Sequence, residues 1–258
     1  MDSMIRKPVL GAPLDALSMS DMLTLCAETI AHRRRLLVGV VNAAKLVNMR
    51  RDASLRDAVL ATDVILADGM AVVWAARLLG HRLPERVAGI DLMTRLLELA
   101  DRAGHRVYCL GATDEVLAAV TREIAQRYPG VQLVGARNGY FRPEDEADIA
   151  AEIVTTRPDI LFVAMSPPKK EQFIARWGPE LGVPICHGVG GAFDVIAGKT
   201  RRAPRLWQGL GLEWLYRVLQ EPRRLWRRYL VTNTLFIGMV IQAWLRPLPQ
   251  PQPQPVRS

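Results

Sequence analysis

Cysteine is nearly absent from this chain: Cys26, Cys109 and Cys186 are its three, far apart and sharing no close spacing. That excludes a disulfide framework and a thiolate metal site. Each lies in or beside an apolar run, so all three read as small buried hydrophobes in a reducing compartment. Histidine is almost as sparse, and His32, His81, His105 and His187 show neither H-x-x-x-H nor H-E-x-x-H spacing, so no metal site is expected. Also missing is an Asp-x-Asp triplet of the kind that holds a divalent ion on a nucleotide diphosphate. The acidic run Glu144-Asp145-Glu146 sits where a helix begins, and the helix dipole accounts for it. No apolar h-region follows the basic pair near the N-terminus, which excludes a secretory signal and makes cytoplasmic residence the expectation. The loop GVGGAF places Phe193 where the third glycine of a dinucleotide fingerprint belongs, which disfavours a nicotinamide oxidoreductase.

What remains is a chain of 258 residues, 50% hydrophobic and 23% charged, enough for a large core as one big domain or a domain with an appendage. After a helix over 18–31, capped by Ser18 or Ser20, short apolar runs alternate with helical periodicity. Strands are expected at 36–41, 64–67, 105–110, 131–134, 160–165 and 183–186. Helical patterns fill 43–61, the stretch from 70 to Leu79, 90–103, the stretch to about Tyr128, 143–156 and 169–177. Strands separated by helices of about ten residues pair in parallel through right-handed crossovers. The expected fold is therefore α/β, a Rossmann-like, mostly parallel sheet flanked by helices, with a basic amphipathic C-terminal helical appendage.

Each strand end in such a sheet offers functional groups to one crevice. Asn42, Asp68, the Gly111-Ala112-Thr113 turn, the Ser166-Pro167-Pro168-Lys169-Lys170 turn and the Gly188–Asp194 loop all follow apolar runs. Two readings of Asp68 stay open at this point: a carboxylate facing the crevice, or a cap on the helix that follows it. The glycines of GVGGAF let a backbone pass close to a phosphate or a sugar, or simply make a turn.

Net charge is +8, with a pI near 9.9, and the excess concentrates near the C-terminus. There Lys199, Arg201, Arg202, Arg205, Arg217, Arg223, Arg224, Arg227 and Arg228 face only Glu213 and Glu221. Nucleic acid, anionic lipid headgroups and a diphosphate are all suitable partners. Residues 211–220 form an amphipathic helix that Pro222 interrupts. The apolar run 230–245 is too short for a comfortable membrane span and contains Thr232, Asn233, Thr234 and Gln242. Flanked by arginines and tryptophans, it suits a membrane interface, the alternative being a helix packed on the core. Three regions follow: an α/β core over 1–208, a membrane-associating helical appendage over 209–246, and a Pro/Gln-rich disordered tail over 247–258.

The motifs VVNAAKL, LADGMAVVWAARLLG, ERVAGIDL, SPPKKEQFI, GVGGAFDVIAGKTRRAP and GLEWLYRVLQEPRRLWRRYL resemble those of the WecG/TagA/CpsF family of bacterial glycosyltransferases, in the family's order over roughly residues 36–230. The resemblance implies inverting, metal-independent transfer, with no cofactor, from a UDP-sugar donor to a polyprenyl-diphosphate-linked sugar acceptor. The enzyme would sit peripherally on the cytoplasmic face of the membrane and have no nucleic-acid partner; a homo-oligomer stays open. By the same resemblance Asp68 is the catalytic base, and Asn42, Arg86, Arg223, Arg224 and Arg227 bind substrate; Lys170 and Gln172, in and just after the SPPKK turn, are expected to bind substrate as well. Gly111, Gly190, Gly191 and Asp194 bind the nucleotide. Two positions depart from the family's N-acetylmannosamine transferases, which usually carry Thr where this chain has Val40 and Gln where it has Lys170. Both changes make a donor without an acetamido group, such as UDP-glucose, a candidate beside UDP-N-acetylmannosamine, and Lys170 suits a diphosphate or a uronate carboxylate. The alternative is a non-catalytic basic α/β module that docks on anionic membrane or nucleic acid.

Overall fold

The computed structural model describes residues 5–245, except the side chains of Arg205 and Arg224; the tail expected at 247–258 lies outside the described residues. The first elements form a hairpin that periodicity does not announce. Strands β1 (Arg6–Val9) and β2 (Ala12–Asp15) pair antiparallel with Pro8 opposite Pro13. Proline cannot donate to a ladder, so a segment carrying two does not read as strand. Leu10 and Gly11 close the turn, both at positive φ (52° and 88°), as tight hairpins of the primed type require.

Ser18 caps α1 (Met19–Ala31) in a reciprocal capping box with Asp21. The chain then runs through β3 (Leu36–Val41), α2 (Ala43–Arg51) and α3 (Ala53–Leu60) to β4 (Val64–Ala67). The helical stretch expected over 43–61 breaks at Asp52, whose carboxylate accepts from the Leu55 N–H at 2.9 Å and starts a second helix. After β4 come α4 (Met70–Leu78), α5 (Gly89–Ala103), β5 (Arg106–Gly111), α6 (Asp114–Arg127) and β6 (Gln132–Arg137). A 3-10 turn then leads into α7 (Glu146–Thr156), β7 (Ile160–Ala164), α8 (Lys169–Trp177), β8 (Ile185–Gly188) and the short α9 (Ala192–Ile196). β8 begins later than its apolar run suggests because Pro184 has no N–H for the ladder, and His187, read as loop, lies inside the strand.

The six long-range strands form one parallel sheet in the order β4-β3-β8-β7-β5-β6, the α/β class expected. Its inner strands are buried on both faces, which is why they read as unbroken apolar runs rather than as alternation. One face is covered by α1, α5, α6 and α9, with Leu92, Met93, Leu96 and Phe193 fully buried against Val38 and Phe162. The other face is covered by α2, α3 and α4 beside β3 and β4, and by α7 and α8 beside β5 and β7. All three cysteines are buried, and burial pushes their thiols up to about 12, so they stay protonated. The hairpin covers the outer edge of β4. Asp15 accepts from the Ile65 N–H at 2.7 Å, Arg6 donates to the Asp63 carbonyl at 2.6 Å, and the two side chains pair at 3.1 Å.

Three helices end the described chain: α10 (Arg205–Gly209), α11 (Glu213–Gln220) and α12 (Pro222–Leu245). Pro222 opens α12, the helix position where a missing N–H costs nothing. Phe236, Met239 and Val240 of α12 are buried in the cluster formed with α2, whereas Leu230, Ile237, Ile241 and Trp244 are exposed. Among the described residues, no helix is long and apolar enough to cross a membrane.

Gly111 ends β5 at φ +132°, where a Cβ would stand 2.3 Å from the Ala164 carbonyl oxygen of the adjacent strand. Gly111→Ala is expected to destabilise the fold by about 2–4 kcal/mol, seen as a lower urea midpoint at unchanged m-value.

Candidate active site

A parallel sheet brings the carboxyl ends of its strands to one rim. Register pairs Val41 with Ala67, so the residues that follow, Asn42 and Asp68, stand side by side where β3 and β4 end. Asn42 caps α2, its Oδ1 accepting from the Lys45 N–H at 3.0 Å. Asp68 does not cap α4, whose N-cap is Gly69 with no side-chain bond. Its Oδ1 instead accepts at 2.8 Å from the N–H of Gly89, the first residue of α5, where the helix dipole favours a carboxylate. The carboxylate is half-buried, and no described hydrogen bond takes its Oδ2. Asp68 is therefore fixed by a different helix from the one it precedes.

The start of α5 is held from below as well. His187 Nε2 lies 3.0 Å from the Gly89 carbonyl; a carbonyl only accepts, so Nε2 carries the proton. Its Nδ1 is buried with no hydrogen-bond partner among the described residues. Complete burial pushes the imidazole down to about 4, so the ring is neutral. A line of hydrogen bonds thus runs from β8 through Gly89 to Asp68.

Beneath the rim lies a buried charge cluster. Lys45, from α2, donates to the Val40 carbonyl at 2.7 Å and to Glu171 Oε1 at 2.7 Å. Lys170 Nζ reaches the same oxygen at 3.2 Å. Glu171 Oε2 has no described partner, and Glu171 lines a small cavity of about 10 Å³ together with Lys45, Thr62, Lys170 and Gly188, room for roughly one water. Burial works against the Glu171 carboxylate, but the ammonium groups of Lys45 and Lys170 hold its pKa below the ordinary value. Burial, reinforced by Lys45, pulls Lys170 down to about 8 against the opposing attraction of Glu171 and Asp68.

A second ion-pair network joins α5 to the C-terminal helices. Asp91 accepts two hydrogen bonds from Arg202, at 2.6 and 2.7 Å, and lies 3.5 Å from Arg86. Arg86 also donates to Glu213 of α11 at 3.0 Å and to Gln208 of α10 at 3.4 Å. Arg86, expected to meet substrate, is thus occupied by the appendage. Across the rim, Lys169 donates to the carbonyls of Gly139 and Phe141 at 3.1 and 2.9 Å and sits over the Phe141 ring, which fixes the loop after β6. That loop presents Tyr140 at 79% exposure, with Gly139 packed on Gly111.

Of the residues singled out by sequence, Asn42, Asp68, Lys170, Gly111 and the Gly190-Gly191 turn with Asp194 occupy strand ends on this rim or the turns behind them. Gln172 points elsewhere, donating to Ser54 on α3 at 2.8 Å. Arg223 and Arg227 stand exposed on α12, Arg227 over the Trp226 ring; the side chain of Arg224 lies outside the described residues. Sequence reasoning missed His187, the Lys45–Glu171 pair, Asp91–Arg202 and Tyr140. The pairs join residues more than a hundred positions apart and leave no local pattern.

The unfolded His187 imidazole titrates near 6.5 and the folded one near 4, so between these values the unfolded chain binds a proton that the fold refuses. Stability from this group is complete above about pH 6.5 and falls by about 3 kcal/mol as the pH drops toward 4. His187→Gln is expected to lose that share of the difference between urea unfolding free energies at neutral and acidic pH.

The family model described as "Glycosyl transferase WecG/TagA/CpsF family" matches residues 7–250. The N-acetylglucosaminyldiphosphoundecaprenol N-acetyl-beta-D-mannosaminyltransferase of Bacillus spizizenii is 39% identical over 183 residues, 71% of this chain and 68% of that protein. The enzyme of the same name from Bacillus subtilis is 34% identical over 194 residues, 75% of either chain. With a match that runs from β1 beyond the end of α12, this chain belongs to the WecG/TagA/CpsF family of glycosyl transferases.

Proposed function

We propose that this glycosyltransferase moves a hexose or N-acetylhexosamine from a UDP-sugar to a saccharide carried on a polyprenyl diphosphate, with inversion and with Asp68 as general base. Family membership sets aside the non-catalytic binding module. The observation that carries the reading is the setting of Asp68: half-buried at the carboxyl end of β4, anchored through Oδ1 to the start of α5, with Oδ2 unclaimed by any described hydrogen bond. The relatives' names specify a diphosphoundecaprenol-linked acceptor and a mannosaminyl group, which supports the acceptor class and one of the two donors, UDP-N-acetylmannosamine and UDP-glucose.

An acceptor hydroxyl is a weak nucleophile until a positioned base takes its proton. In the proposed step the hydroxyl oxygen bonds to the anomeric carbon while its proton passes to Asp68. The bond from that carbon to the diphosphate oxygen breaks on the opposite side, and UDP leaves with the electron pair. Asn42, beside Asp68, suits the sugar hydroxyls. Exposed Tyr140, next to the Gly111 turn, offers a face suited to stacking with a uracil ring, and in this reading Gly190, Gly191 and Asp194 take the nucleotide. The exposed stripe Leu230, Ile237, Ile241 and Trp244 on α12, adjoining the basic run 223–228, suits peripheral docking on an anionic membrane surface.

The test is a transfer assay with UDP-glucose, UDP-N-acetylmannosamine and related donors on a short-lipid diphosphate-linked acceptor, with EDTA throughout. Transfer from one donor at undiminished rate is the expected result. Asp68→Asn and Asp68→Ala are expected to keep the wild-type melting temperature within a few degrees and to lower kcat by at least about 10²–10³-fold; near-normal turnover would remove Asp68 from the mechanism. The pair Ile237→Asp with Ile241→Asp is expected to abolish cosedimentation with anionic vesicles while sparing transfer to a water-soluble acceptor.

A further inference from the structure

Lys170 is 5% exposed and incompletely paired. Its stem runs along the bare backbone of Gly188, where a Cβ would come within 2.9 Å of Lys170 Cε, and its Nζ arrives 3.5 Å from where a Cβ on Gly190 would stand. The absence of side chains at these two glycines leaves room for the ammonium beside the turn, and the positive φ of Gly190, +53°, keeps that position favourable for glycine. An ammonium has three donors, but the one described partner here is Glu171 Oε1 at 3.2 Å, an oxygen that Lys45 already holds at 2.7 Å. One carboxylate between two buried ammonium groups leaves a surplus positive charge.

The other described cations around the rim are engaged. Lys45 is divided between Glu171 and the Val40 carbonyl, and Lys169 between two carbonyls of the loop after β6. Arg86 is held by Glu213 and Gln208, and Arg202 gives its two terminal nitrogens to the oxygens of Asp91, its buried Nε having no described partner. Of Lys45, Lys169 and Lys170, the last has the most donor capacity left for an incoming anion, and a low-dielectric wall strengthens whatever it binds.

We propose that Lys170 is the cation that receives the diphosphate of the nucleotide donor, across the Gly188–Gly190 turn, and that holds the charge developing on UDP as it leaves. This assignment rests on the UDP-sugar reading above and deepens it. It has a signature that a packing role lacks. The titratable groups facing Lys170 are Lys45 from α2, Glu171 on its own helix, Asp68 beyond β4 and His187 on β8. Near pH 8 Glu171 is ionised and His187 neutral, while the Lys170 ammonium is partly discharged. A bound diphosphate favours the charged form, so binding draws in a proton.

The experiment is titration calorimetry of the full chain with UDP, UMP and uridine near pH 8, in buffers of different ionisation enthalpy. UDP itself contributes little, because the second ionisation of a terminal phosphate lies near pH 6. Wild type is expected to take up a fraction of a proton per UDP. Lys170→Met and Lys170→Gln are expected to abolish that uptake and to weaken UDP about tenfold or more, with uridine unchanged. Lys170→Met leaves Lys45 and Glu171 as a balanced pair, and Lys170→Gln keeps a polar donor should the first variant melt early. Unchanged UDP affinity in both variants would overturn the assignment; if the same variants lost affinity only for a UDP-uronate, Lys170 would belong to recognition of a sugar carboxylate instead. Wild type that binds no UDP at all would instead sink the UDP-sugar reading.

Discussion

One carboxylate governs the interior beneath the rim. Glu171 holds Lys45 of α2 and Lys170 of its own helix, α8, while Lys45 also ties itself to the Val40 carbonyl near the end of β3. The starts of two helices and the end of the strand that leads to Asn42 are thus fixed to one another by bonds no longer than 3.2 Å. Such a cluster is asymmetric in its energetics. Replaced whole by apolar side chains it would cost the fold little, but without its single anion it would leave two ammonium groups facing each other in a dry wall.

The second network acts on the same rim from above. The first turn of α5 presents Gly89 to Asp68 and, two residues on, Asp91 to Arg202 and Arg86. Arg86 then passes the connection to Glu213 on α11. Two residues of one helical turn, Gly89 and Asp91, therefore link the proposed base to the C-terminal helices, through a backbone N–H on one side and ion pairs on the other. The neutral His187 closes this arrangement from the sheet side, which requires its ring to stay dry.

Much of this was legible in the sequence because burial writes itself as pattern. The strands ending at Asn42 and Asp68 were visible as apolar runs bounded by polar residues, and their placement on one rim follows from parallel pairing alone. The side-chain partner of Asp68 was not legible. Local reasoning offers the next helix as the partner of a carboxylate at a strand end, whereas the actual donor, Gly89, lies twenty-one residues on and is brought there by the crossover. The hairpin was hidden by two prolines that face each other across it, and the extent of β8 by Pro184. The buried ion pairs could not be read at all, since Lys45 and Glu171 are each ordinary helix residues in isolation, 126 positions apart.

β4, which delivers Asp68, is the outermost strand of the main sheet, with a neighbour in that sheet on one side alone. On the other side its backbone is held by the hairpin, through Asp15 on the Ile65 N–H and Arg6 on the Asp63 carbonyl. A carboxylate in the role proposed for Asp68 must meet a hydroxyl within a few tenths of an ångström, and so depends on the rigidity of the strand behind it. The hairpin of residues 6–15, whose described contacts are to β4 and the core beside it, is thus a mechanical support of the rim. Because Val9, Ala12 and Leu14 are also buried in the core beside β4, the same ten residues set both the stability of that edge and the steadiness of the strand end it carries.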